Sequence, residues 1–198
     1  GCPSTDVIRP KFAVMNPRYT CTLPAYQTAC GATDILAHIL ERYFTNTKDV
    51  EVTDRVIEGL LMTMIHEAPK VIENPNDYEA RANIMWAGMV AHNNVVGVGR
   101  DQDWNSHGIE HQLSALYDCA HGAGLAVLYP AWCRYVYKKN PARFAQFARR
   151  VWDVVEENDE KAALAGIEAM ESYFKSIGMP SKLSEFGITE DCIPRLTE

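Results

Sequence analysis

A chain of 198 residues with 47% apolar and 23% charged residues is long enough for one good core or two small ones. Its net charge of −7, with no dense basic stripe, argues against a nucleic-acid partner and reads as an aid to solubility. No apolar run approaches the roughly 18 residues that cross a bilayer, so no membrane partner is expected. The first residues, from Gly1, have neither the basic start nor the apolar stretch of a secretory signal, and no initiator Met, which suggests a processed or cut start. Cysteines at 2, 21, 30, 119, 133 and 192 form no Cys-x-x-Cys pair, which excludes a zinc ribbon. They read as reduced, buried thiols, and the expected compartment is the cytoplasm.

Residues 1–23 are expected as a short extended lead-in. Pro10, Pro17 and Pro24 interrupt any helix there, and Lys11 to Met15 suits a short strand. From Pro24 the period becomes helical: Leu36, Ile39, Leu40 and Tyr43 recur at i, i+3, i+4 and i+7, up to about Asn46. A second helix is predicted over Val52–Ile72, stopped by Asn74 and Pro75. A third spans Asp77–Val96 and is nearly all apolar after Ile84, the mark of a helix buried on most sides. It runs out in Gly97-Val98-Gly99. Trp104–Leu116 is the fourth, Asp118 to Ala120 a short break, and Gly122–Tyr137 the fifth, with Pro130 a kink inside it. Two amphipathic helices follow near Ala142–Val155 and Lys161–Ile177. Gly178, Pro180 and Gly187 punctuate the rest, and Thr189 suits the cap of a last helix. No linker or repeat divides residues 24–198. The expected fold is one all-α domain, an antiparallel helical bundle.

The chemistry concentrates in a few positions. Half of the six histidines, His107, His111 and His121, fall between residues 107 and 121. Asp34 and His38 are four apart on a predicted helix, so they share one face, and His107 and His111 repeat that spacing on another. His121 sits before a helix, where Gly122 and Gly124 allow close backbone approach. Asp34 and His38 also interrupt an apolar stripe, and burying them without a partner is costly. Oxygen-plus-imidazole donors of this kind suit zinc or ferrous iron.

Each piece alone is weak. Asp-x-x-x-His is commonly an exposed or capped pair, and His111 could instead be a core histidine bonded to Glu110, Asp118 or a carbonyl. Five candidates are one too many for a four-coordinate catalytic site with an open position, so one of them is expected to relay a proton. Spacing does not say which. His66 reads as a solvated helix-end residue and His92 as a buried polar group near the site. Trp86 and Trp132 read as core, and Trp104 as a pocket wall or a packing residue.

Three segments carry a resemblance. Residues 9–24, from Arg9 to Pro24, residues 31–41, from Gly31 to Glu41, and residues 103–124, from Asp103 to Gly124, resemble the iron-dependent alcohol dehydrogenases. The likeness is to their butanol dehydrogenase-like branch of NADP-linked alcohol/aldehyde reductases, and it weakens after about Val155. It implies metal ligands Asp34, His38, His107 and His121 for Fe2+ or Zn2+, and His111 as the catalytic histidine beside them. It also implies Tyr19 and Leu23 as contacts to NADP or NAD, a small alcohol or aldehyde as substrate, and a homodimer as the full-length enzyme. The family carries a nucleotide-binding α/β domain before the position of residue 1 and continues beyond residue 198. On this resemblance the chain is expected to be the metal-binding half of a two-domain dehydrogenase. Gly97-Val98-Gly99-Arg100 lies at a helix end, the wrong context for a phosphate loop.

Other classes fit less well. An all-α phosphohydrolase needs a His-Asp dipeptide, and a di-iron bundle needs Glu-x-x-His; neither occurs. A non-catalytic helical metal-binding or interaction domain remains the alternative, and in its plain interaction form it predicts no bound metal.

Overall fold

The computed structural model describes residues 6–8 and 10–189, and among them are seven α-helices and no strand. These are α1 (Ala25–Tyr43), α2 (Glu51–Glu73), α3 (Tyr78–His92), α4 (Asn105–Tyr117), α5 (His121–Val136), α6 (Pro141–Val151) and α7 (Asp159–Ser176). Their boundaries have local causes. Asp77, Asn140 and Asn158 cap α3, α6 and α7, each accepting a backbone N–H three residues on. Pro141 opens α6 at a position where its missing N–H costs nothing. Asn94 and Asp118 take left-handed φ of 66° and 53°, turning the chain after α3 and α4.

The core lies around α1, which packs on α2, α3 and α5, while α6 pairs with α7. Leu36, Ile39, Leu40 and Tyr43 of α1 meet Ile57, Leu61 and Met64 of α2, Leu125 and Tyr129 of α5, and Phe147, Ile167 and Phe174 of α6 and α7. The all-helical expectation therefore holds, with the i, i+3, i+4 stripes turned inward. No helix among the described residues is long and apolar enough to cross a membrane. Cys30 and Cys133 are buried free thiols, and Cys21 and Cys119 are half-buried. Cys2, Cys192 and the last helix expected after Thr189 lie outside the described residues.

Several expectations fail. Lys11 to Met15 forms no strand: Phe12 and Val14 are exposed, and no second strand among the described residues offers a ladder. The third helix stops at His92, with a 3-10 turn over Val95–Gly97, and it is not buried all round. Ala80, Ala87 and Ala91 face the neighbouring helices, but Trp86 is 59% exposed. α1, α2 and the 3-10 turns Pro17–Thr20 and Val95–Gly97 pack on α3 but leave Trp86 uncovered, so its apolar composition exceeds what the described residues bury. Trp132, by contrast, packs against the core as expected. His66 is solvated, but in mid-helix, because α2 runs through Pro69 to Glu73.

Candidate metal centre

α1 carries Asp34, His38 and Glu41 on one face, at i, i+4 and i+7. α4 carries His107, Glu110 and His111. The turn at Asp118 brings the chain back so that His121, the first residue of α5, faces both helices. Gly122 makes this possible: a Cβ there would lie 2.0 Å from the backbone oxygen of Cys30, so α5 could not rest on α1.

The side chains converge on one carboxylate oxygen. Nε2 of His121, His107 and His38 lie 3.2, 3.4 and 3.6 Å from Asp34 Oδ1. His92, at the end of α3, places its Nε2 3.6 Å from Asp34 Oδ2. Donor atoms of Asp34, His107 and His121, of Asp34, His38 and His92, and of Glu110, His111 and His121 form three overlapping groups, each within 4.8 Å. Two of the far ring nitrogens are held from outside. His92 Nδ1 donates to the Gly88 carbonyl at 2.7 Å, and His121 Nδ1 to Glu110. His107 Nδ1 lies 2.6 Å from Glu41 Oε2, off the line of a good hydrogen bond. The other Glu41 oxygen accepts the His107 backbone N–H.

Electrostatics set this cluster apart. Burial alone would raise the Asp34 carboxyl, but the imidazoles of His107, His121 and His92 hold it far below the usual carboxylate range. Burial drives His38 the other way, down to about 3, so it stays neutral. Hydrogen bonds to Asp34 and Glu110 push His121 up to about 9. His92 is raised chiefly by Asp34. His107 is raised because Asp34 and Glu41 outweigh its burial. Among the described residues no Lys or Arg pairs with Asp34. The His38 Nδ1 is buried with no partner. One carboxylate oxygen ringed by imidazole nitrogens is the donor set of a zinc or ferrous site, so the residues fit such a cation.

The structure thus gathers Asp34, His38, His107 and His121, with His111 at the rim. His111 is exposed, its ring centroid 5.2 Å from His121 and 6.1 Å from His107. It does not bond Glu110 as a core histidine, because Glu110 faces His121. Trp104 stands edge-on to His38 and His107 at 5.2 and 5.4 Å and stacks under Arg42, so it both walls the site and packs. Tyr19 is exposed and makes no ring contact with the histidines. Leu23 lines a cavity of about 220 Å3 between α1 and α3, with Gly31, Ile35, Ile84 and Gly88. His92 is near the site as expected, yet 44% exposed rather than buried. Glu41, fully buried, escaped the reading of the sequence, and Glu110, also fully buried, was read only as an alternative partner of His111. The available signal was their register: Glu41 follows His38, and Glu110 follows His107, by three residues.

Fold and cluster together define an all-helical domain with a histidine–carboxylate centre. The family model described as Fe-containing alcohol dehydrogenase family, C-terminal, matches residues 28–198, and the chain belongs to that family. It is 42% identical over 188 residues to NADH-dependent butanol dehydrogenase A of Clostridium acetobutylicum, covering 94% of this chain and 48% of that one. It is 38% identical over 189 residues to the NADPH-dependent aldehyde reductase YqhD of Escherichia coli, covering 96% and 49%. The solved structure of a butanol dehydrogenase A from Thermotoga maritima superposes with a TM-score of 0.94 at 43% identity, over 98% of this chain and 48% of that one. The chain spans about half the length of the curated relatives it matches.

Proposed function

We propose that this chain is the metal-binding half of an NAD(P)-linked alcohol dehydrogenase or aldehyde reductase, with Asp34, His38, His107 and His121 holding one Fe2+ or Zn2+. The observation that carries the reading is the convergence of three imidazole Nε2 atoms on Asp34 Oδ1 in a member of this family. When bound, the cation would supply Lewis acidity toward a substrate carbonyl oxygen, and the nicotinamide would supply hydride. The residues of the chain do the rest. Asp34, the half-buried His38 and the buried His107 fix the donor set from two helices. Trp104 keeps water from one side of it. His111, exposed at the rim beside His121, gives a proton to the nascent alcohol oxygen and takes it back in the reverse direction.

Tyr19 and Leu23 meet the nicotinamide cofactor from the segment before α1. Relatives named for NADH and for NADPH both support a nicotinamide cofactor here. The substrate is a small alcohol or aldehyde, and the working enzyme is a cytoplasmic homodimer. Elemental analysis and aldehyde reduction with NADH and with NADPH test the reading, on this chain and on a longer protein that contains it. The chain alone is expected to retain about one Fe or Zn without turnover, and the longer protein to turn over. Loss of metal from both would refute the proposal.

A further inference from the structure

The far side of His121 is built as carefully as its ligand side. Glu110 is fully buried on α4, and one of its oxygens accepts the His121 Nδ1 hydrogen. Its other oxygen accepts from Ser114 Oγ, which also lies 3.0 Å from the Cys119 carbonyl in the turn to α5. α5 leaves room for it. A Cβ at Gly124 would fall 2.5 Å from Glu110 Oε1 and 2.9 Å from its Cγ, so glycine at 124 is the space the carboxylate fills. A carboxylate can only accept, so Nδ1 of His121 carries the proton and Nε2 is the nitrogen turned to Asp34 Oδ1.

We propose that Glu110 is a positioning residue for the metal centre. It selects the His121 tautomer whose Nε2 lone pair faces the cation, locks the ring plane, and raises the donor strength of the imidazole. Ser114 and Gly124 hold Glu110 in place. A metal-ligating imidazole anchored through its other N–H by a carboxylate is a general device for tuning a site. The proposal rests on the metal reading above.

Cobalt is the probe. Chelator-treated chain is titrated with Co2+, followed by its visible absorption and by competition with a chromophoric chelator, and metal-free thermal unfolding is recorded for each variant. Glu110→Gln keeps the volume and the Ser114 hydrogen bond but loses the charge. It is expected to bind Co2+ roughly 10- to 100-fold more weakly, with an altered absorption envelope. Gly124→Ala leaves Glu110 in the chain but places a methyl where its carboxylate lies. It is expected to weaken Co2+ binding in the same sense, although alanine favours the helix, and it decides the matter if Glu110→Gln fails to fold. Folded variants with wild-type Co2+ affinity and spectrum would overturn the positioning role while leaving the metal site intact. A wild-type chain that binds no Co2+ would overturn the metal reading and this inference with it.

Discussion

Asp34 and Asp54 sit on neighbouring helices, one half-buried and the other buried, and they keep opposite company. Asp54, 4% exposed at its side chain, is clasped by guanidinium groups. Arg100 reaches Oδ1 at 2.9 Å, Arg143 reaches both oxygens, and Gln146 donates to Oδ2 at 3.0 Å. Beside it Glu58 accepts from Tyr43, Arg55 and Arg150. The positive charge comes from residues that cannot give it up near neutral pH. Asp34 has no such partner among the described residues. Its surroundings are imidazoles, whose positive charge is a proton that a divalent cation can replace. A buried carboxylate closed by arginines holds helices together, whereas the half-buried Asp34, faced only by histidines, offers the donor set on which the metal proposal rests.

The contrast can be broken at either end. The largest effect is expected from His107→Ala, which should reduce the metal content of purified chain from about one per chain to none, read by elemental analysis after dialysis. Asp54→Ala should do the reverse. It leaves Arg100 and Arg143 buried without their anion, costing about 3–5 kcal/mol in denaturant unfolding, while folded protein keeps its metal. His111→Ala, assayed in the longer protein, should keep the metal and lose turnover by roughly 10²–10⁴. Metal loss in that variant would make His111 a ligand.

The smallest effect is one of pH. Burial would raise Asp54, but Arg143, Gln146 and Arg100 hold it below the ordinary carboxylate range. A lowered folded value means its stabilisation is fully present above the unfolded carboxylate pKa of about 3.9. It is lost as pH falls through the lower folded value. Urea unfolding of wild type and Asp54→Asn, compared from pH 7 downward, should show their stability gap narrowing below about pH 4. A gap that widened there would contradict the ion-pair assignment.

Much of this was legible in the chain. Hydrophobic period located α1, α2, α6 and α7, whereas α4 turns Ser106, His107 and Glu110 inward with Leu113 and buries no apolar stripe. Asp34, His38, His107 and His111 showed their facing by i, i+4 spacing alone. What periodicity does not encode is who stands opposite. α3 is apolar enough to be wrapped, yet Trp86 stays exposed because α1, α2 and two short 3-10 turns cover only part of it. Phe12 and Val14 have strand character without a partner strand. Glu41 touches His107 across 66 residues, and His92 approaches Asp34 across 58. Such pairings are set by how helices cross, so residues that read as ordinary helical glutamates emerge as supports of the site. The proposed ligand set was separated from His111 by family resemblance, not by spacing.

The most direct test of the central claim is a Zn2+ titration of chelator-treated wild-type chain by calorimetry, paired with thermal unfolding with and without metal. One Zn2+ per chain is expected, with stabilisation of about 2.7 kcal/mol when free Zn2+ is 100 times the dissociation constant. Asp34→Asn should lose most of that gain. A chain that folds as described, binds no Zn2+ and unfolds at the same temperature with and without it would contradict the account.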